Sequence, residues 1–444
     1  MEEKNSEKKE RKMRDSGIPW IGEVPDGWKV GRIKDIIDVL TDFTANGSFA
    51  DLAKNVKYID DEDYARLIRL TDLRDNLNNA GVFVNENSYS YLSKSKLFGG
   101  EILVANVGAY AGLFCEMPMI NKPATLGPNM FLLKPNKKML SRYLYYIGIS
   151  PLVCGQLTVK ATSSAQPKLN KTDIKTTYIL IPPLDMQQKL VYFLDSKCSE
   201  IDTLIENLRV RIESVKEYKK AVITEAVTKG LDKDAKMKDS GVEWIGEIPE
   251  GWKVVRFKHI ASIKSNLVQP DKYMKYPQVA PDNIEKDTGR LLSHQTVEES
   301  GIISGNHLFY RGQILYSKIR PNLNKLTVAP FDGLCSADMY PIESKLPTLF
   351  MVYLMLSTYF VSQVSLIIQD RVKMPKINQE ELGEIKVVVP SQQDMLTIAD
   401  YLDSKCSEID ALLQNYEAQI TTLEKYKKSL IYEYVTGKKE VPTA

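Results

Sequence analysis

Two strands written in matching frames carry the side chains of this chain best suited to hydrogen-bonding chemistry. Gly100 to Gly112 reads GEILVANVGAYAG and Gly312 to Lys325 reads GQILYSKIRPNLNK, each a glycine turn leading into the alternating side chains of a strand. Aligned on those glycines, Asn106 stands opposite Lys318 and Gly108 opposite Arg320. Lys or Arg suits the acceptor edge of guanine, and Asn suits the paired donor and acceptor of adenine. Different donors at matched positions are what two different base sequences demand, with ordinary surface variation on a strand as the competing reading for each residue. A second matched stretch closes each variable part: ATSSAQPKLNKTDI from Ala161 to Ile174, and QDRVKMPKINQEEL from Gln369 to Leu382. Asn170 with Asp173, and Asn378 with Glu381, have the spacing of a helix cap and its returning acid. Lys168 and Lys376 are candidates for phosphate contacts, weighed against plain solvated lysines. The base and phosphate contacts expected from these strands and turns are Asn106, Tyr110, Ser163, Ser164, Gln166 and Lys168 in the first half. In the second half they are Lys318, Arg320, Asn322, Asn324, Arg371, Lys373 and Lys376.

Other chemistry finds little footing. The three histidines, His259, His294 and His307, all lie in the second half, whereas a catalytic or metal role carried through a duplication would occur in both. Five cysteines without C-x-x-C spacing indicate no structural zinc and fit a reducing cytoplasm. A net charge of +2 argues weakly against binding nucleic acid through bulk electrostatics, yet leaves room for a local basic surface. Apolar runs such as Leu349 to Leu356 fall short of a membrane span, so no membrane is expected as a partner. Met1 to Arg14 is a charged tail expected to be disordered and carries no secretory or lipidation signal.

The elements that must position these side chains are themselves written twice. Met13 to Arg32 reads MRDSGIPWIGEVPDGWKVGR and Met237 to Arg256 reads MKDSGVEWIGEIPEGWKVVR, while DSKCSEID at Asp195 to Asp202 recurs letter for letter at Asp403 to Asp410. The first pair is offset by 224 positions and the second by 208, so only the stretch between the two motifs has changed length. After the octapeptide, Ile201, Ile205, Leu208, Ile212, Val215, Val222 and Ala226 step by four and three, the seam of a coiled coil interrupted by Lys219. Ile409, Leu413, Tyr416, Ile420, Leu423, Leu430 and Tyr434 repeat the register, with Lys427 in the matching gap. Each stripe needs a cover, and the other copy supplies one. The linker Thr228 to Lys236 is too short for a parallel return, so the pairing is expected to be antiparallel about a pseudo-twofold axis. Roughly thirty helical residues span about 45 Å, about a dozen base pairs of B-DNA. A coiled coil that only dimerises or scaffolds is the alternative. Trp20, Trp28, Trp244 and Trp252 sit in WIGE-x-P-acid-G-W strings, which read as rigid turns pinned by two aromatics rather than as base-stacking platforms.

Together, DSGIPWIGEVPDGWKV and its copy, the two glycine-led strands, SAQPKLN and VKMPKIN, and LIPPLDMQQKLVYFLDSKCSEIDTLI with VVVPSQQDMLTIADYLDSKCSEID resemble the specificity subunit of type I restriction-modification systems over nearly the whole chain. The resemblance implies two α/β target recognition domains in an α+β chain, each reading one half of a bipartite, asymmetric DNA site. It also implies two long helices that set the gap and dock methyltransferase subunits. The implied partners are double-stranded DNA, two modification subunits and two restriction subunits. S-adenosylmethionine, ATP and Mg2+ would be used by those partners and none of them by this chain. In keeping with a non-catalytic role, neither a methyltransferase Asn/Asp-Pro-Pro-aromatic tetrad nor a Walker A loop occurs, and Glu384-Ile385-Lys386 lacks the Pro-Asp of a nuclease site. The expected boundaries are a tail and first repeated segment at 1–30, a recognition domain at 31–184, a helical spacer at 185–235, a second repeated segment at 236–254, a recognition domain at 255–392 and a spacer at 393–444. Two rivals stand beside this reading: a self-contained DNA methyltransferase or nuclease, and a coiled-coil scaffold with protein-binding heads.

Overall fold

A computed structural model describes residues 12–161 and 166–442. The chain divides into two compact units, one formed by the chain up to Glu206 together with the segment from Gln419 onward, the other by Asn207–Ala418. Both are α+β, and both are built to the same plan.

In the first unit a four-stranded antiparallel sheet runs in the order Ile37–Asp42, Met130–Pro135, Ile102–Ala105, Phe114–Glu116. A second sheet contains the parallel pair Ala65–Ile68 and Ala124–Leu126, flanked by Phe83–Val84 and Lys96–Leu97. The second unit repeats both. Ala261–Ile263, Met339–Ser344, Ile314–Ser317 and Leu326–Val328 form the antiparallel sheet, and Pro277–Val279 lies parallel to Gly333–Cys335 in the other. Ile102–Ala105 and Ile314–Ser317 are buried at every position, the mark of strands covered on both faces. Their neighbours pack apolar helices on them: Ser141–Ile149 in one unit, Thr348–Leu356 and Thr358–Ile368 in the other. Among the described residues no single helix is long and apolar enough to cross a membrane, and that last bent pair is apolar because it is core.

Two long helices, Leu184–Lys229 and Gln392–Val435, span 46 and 44 residues. At about 1.5 Å per residue they are about 69 and 66 Å long, well beyond the thirty residues that the heptad seam marks out. The surplus lies ahead of the seam. Leu190, Val191 and Leu194 continue the helical period but turn their apolar face into the head core, and Met395, Ile398 and Leu402 do the same in the second unit. Within each unit the two helices run antiparallel. Phe193 stacks near Tyr434 and Asp202 meets Lys427 in the first; Asp410 meets Lys219 in the second, whose Gly230 turn lies beside Thr397 and Ile398.

These contacts account for four of the repeated letters, the two aspartates, the cysteine and the isoleucine. Asp195 accepts hydrogen bonds from Arg142 Nε at 2.7 Å and Tyr146 Oη at 2.6 Å, and Asp403 accepts one from Tyr353 Oη at 3.4 Å. Cys198 with Ile201, and Cys406 with Ile409, are buried beneath them. At the far end, Asp202 takes Lys427 Nζ and Asp410 takes Lys219 Nζ, each at 2.6 Å. The lysines that interrupt each seam are therefore the seam's charged links. Of the seam residues, Ile201, Ile205, Leu208, Ile212, Val222, Ile409 and Leu430 are buried, while Val215, Leu413, Tyr416, Ile420 and Leu423 are half-buried.

Two expectations need correction. Met13 and Arg14 pair as a strand with Pro25 and Val24, because the hairpin gives their backbone groups partners; the tail up to Arg11 lies outside the described residues. In the repeated hairpins only one aromatic of each pair is a pin: Trp28 and Trp252 are buried, whereas Trp20 and Trp244 are half-exposed on the rim.

Candidate nucleic-acid interface

The two candidate strands end on turns held by the same set of backbone hydrogen bonds. In the first unit Asn106 N–H donates to Asn129 O at 3.1 Å, Leu169 N–H donates to Asn106 O at 2.8 Å, and Gly108 N–H donates to Pro167 O at 2.8 Å. In the second, Lys318 N–H donates to Asp338 O at 2.9 Å, Ile377 N–H to Lys318 O at 3.0 Å, and Arg320 N–H to Pro375 O at 2.8 Å. Isolated bridges complete the match, Val107 with Lys168 and Ile319 with Lys376. The frame is thus identical bond for bond, and the side chains it presents are not. Asn170 and Asn378 cap the helices that follow, their side chains accepting from Asp173 N–H and Glu381 N–H.

Side-chain surroundings sort the candidates. In the first unit Lys168 is exposed, Asn106 is half-buried, and the buried Asn106 Oδ1 has no protein partner. Tyr110 is 45% exposed and lies beneath the Arg74 guanidinium, 4.2 Å from ring centroid to Cζ. Ser163 and Ser164 fall outside the described residues, and Gln166 is exposed. In the second unit Arg320, Asn322 and Lys373 are exposed. Lys318 is half-buried, with its ammonium 5.3 Å from the Tyr340 ring centroid. Arg371 grips Glu381 with both terminal nitrogens, and Lys376 Nζ pairs with Asp338 at 3.1 Å, so both cations already have acid partners.

Asn324 is misplaced as a contact. It is 1% exposed, and its Nδ2 donates to Met355 O at 3.1 Å, tying the end of the turn to a core helix. Its left-handed backbone, φ +42°, explains the asparagine at that position better than any ligand does. The acid-x-lysine string is likewise structural, with Glu384 paired to Arg256 and Lys258. Among the described residues no group of three or more His, Cys, Asp or Glu is placed to hold a metal.

A family model described as the type I restriction modification DNA specificity domain matches residues 25–214. The type I restriction enzyme EcoDI specificity subunit of Escherichia coli is 32% identical over 286 residues, which cover 60% of this chain and 64% of that protein. The type I restriction enzyme MjaVIII specificity subunit of Methanocaldococcus jannaschii is 26% identical over 445 residues, 94% of this chain and 93% of the relative. The chain is thus similar to type I specificity subunits along most of its length. A chain solved in work on complex assembly and conformational transition of the type I R-M system shares the fold, with a TM-score of 0.68 at 13% identity, covering 94% of this chain and 99% of the other.

The first unit also contains side chains that the sequence did not single out. A cleft there is lined by Phe49, Tyr58, Asn106, Asn129, Lys168 and Lys171. Phe49 is 82% exposed and Tyr58 57%, so aromatic faces and amide or ammonium donors open onto one surface. Arg74 ends the short helix Leu70–Arg74 that follows the parallel strand Ala65–Ile68. That helix is held by a buried acid: Asp72 takes two hydrogen bonds from the Arg69 side chain and one from Asn79 Nδ2. Burial alone would raise the Asp72 carboxyl, but the bonds from Arg69 and Asn79 outweigh it and hold it below the usual range. Neither Arg74 nor Phe49 belongs to a repeated motif, so pattern comparison between the halves had no means of finding them.

Proposed function

We propose that the chain is the sequence-specific DNA-recognition subunit of a type I restriction-modification complex and that it does no chemistry itself. The head at 31–184 reads one half of a bipartite, asymmetric site and the head at 255–392 reads the other. The helical spacers at 185–235 and 393–444 fix the gap and dock two modification subunits, with two restriction subunits completing the assembly in the cytoplasm. S-adenosylmethionine, ATP and Mg2+ serve those partners. The observation that carries this reading is the matched turn: the hydrogen bonds through Asn106 to Gly108 are reproduced through Lys318 to Arg320 while the outward side chains differ. A duplicated enzyme would retain its reactive groups in both copies. A duplicated reader retains its frame and varies its donors.

The test is selection of bound duplexes from a randomised library by the full chain with its modification partner, across a salt series. The expected outcome is one motif of two separated halves, with affinity falling steeply as salt rises. Methyl transfer or cleavage by the purified chain alone would contradict the reading, as would a complex without sequence preference.

A further inference from the structure

Arg320 stands at φ +43°, in the left-handed region that strains residues other than glycine, and its counterpart at the matched turn is Gly108, at φ +88°. Glycine would occupy the second turn without strain. The arginine is locked there by its own N–H bond to Pro375 O, by the bridge between Ile319 and Lys376, and by Pro321 immediately after it. The facing turn carries a second strained residue, Met374 at φ +46°. Strain of this kind at an exposed residue persists where the side chain has a task.

Resting on the recognition role proposed above, we propose that Arg320 reads a guanine in the half-site taken by the second unit. The first unit's half-site is read without any such contact at the matched position. Three observations favour a base edge over a phosphate. The guanidinium is exposed and has no partner among the described residues, whereas Arg371 and Lys376 nearby are each held by an acid. Its backbone is fixed on three sides, and base readout needs a side chain held to fractions of an ångström, whereas a phosphate is reached by any long flexible cation. Finally, phosphates are the same under both half-sites, so a phosphate contact belongs to the shared frame. A side chain present in one frame and deleted in the other belongs to sequence discrimination. The two forked nitrogens of arginine match guanine O6 and N7.

The experiment compares the wild-type chain with Arg320→Gly and Arg320→Lys, each in full length with its modification partner, by duplex selection and by salt dependence of affinity. Arg320→Gly retains the first half-site and the gap and loses the guanine preference at one position of the other half, discrimination there falling by about 5- to 150-fold. Arg320→Lys retains part of it. Because glycine holds the matched position in the first unit, the Gly variant folds, and its melting temperature stays at or above that of the wild type. An unchanged motif overturns the proposal. So does a uniform loss of affinity with the salt slope reduced by about one, which identifies a phosphate contact. If the wild-type complex selects no bipartite motif, the recognition role itself fails, an outcome distinct from a wild-type motif that Arg320→Gly leaves intact.

Discussion

Removing the carboxylate partner of a seam lysine tests the account of the long helices, and the two matched links should respond unequally. Lys219 is only 12% exposed at its side chain and Asp410 30%, whereas Lys427 is 27% and Asp202 57% exposed. An exposed ion pair contributes about 0.2–1 kcal/mol, and a hydrogen bond to a charged group shielded from water about 1.5–3 kcal/mol. Asp410→Ala leaves the Lys219 ammonium without its partner in a shielded groove and also removes a carboxylate 4.0 Å from Arg290. It should cost about 2 kcal/mol, or about 4–8 °C in melting temperature. Asp202→Ala should cost about 0.5 kcal/mol. The double change Lys219→Met with Asp410→Leu restores an apolar heptad position and should return to within about 1 kcal/mol of wild type or exceed it. Hydrogen exchange in the full chain reads the opening free energy directly, from peptides of 207–229 and 392–418 for the Lys219–Asp410 link and of 184–206 and 419–435 for the Lys427–Asp202 link. Equal losses for Asp410→Ala and Asp202→Ala, or a double variant as damaged as the single one, would refute the reasoning.

Asn324→Ala removes a buried donor to Met355 O from a left-handed residue and should cost about 1–3 kcal/mol in denaturant unfolding, while the folded protein keeps its DNA motif. Burial, then the charge of Lys318, depresses the His307 imidazole below 6.5, so its neutral form stabilises the fold. That contribution is present above pH 6.5 and is lost as pH falls toward the lowered value; His307→Gln should flatten this slope of the second unit's unfolding profile. In the first unit the depressed Asp72 carboxyl stabilises above its unfolded value of about 3.8 and is lost as pH falls through the lower folded value. Asp72→Asn should therefore remove part of the acid limb below about pH 4, as followed by circular dichroism.

The parts of the fold legible in the sequence are those where a local pattern dictates the structure. The heptad steps from Ile201 and from Ile409 place an apolar stripe on each long helix, and Lys219 and Lys427 stand out as its interruptions because only a charge breaks the period. Their partners were not legible, since Asp410 and Asp202 are about two hundred residues away. The extra length of each helix escaped for another reason: Leu194 and Leu402 stand one heptad ahead of Ile201 and Ile409, but there the stripe is covered by a head core, and the step pattern alone does not say what covers it. In the candidate interface, aligning the halves places Asn106 opposite Lys318 and Gly108 opposite Arg320, and the turns present these four at equivalent bonds. Alignment could not distinguish an exposed asparagine from Asn324, whose burial depends on a core helix arriving from residue 355. Nor could it find Arg74, whose guanidinium lies over the Tyr110 ring although the two residues follow strands of different sheets.

The central claim, that two independent readers are held in one duplicated frame, is tested most directly by exchanging residues 31–184 for the corresponding head of another specificity subunit. The methylated sites in cells carrying the hybrid with its modification partner are then mapped. The account predicts a hybrid motif in which one half-site is new while the other half-site is retained at the same gap. A hybrid in which both half-sites change together, or in which the gap changes with the head, would contradict it.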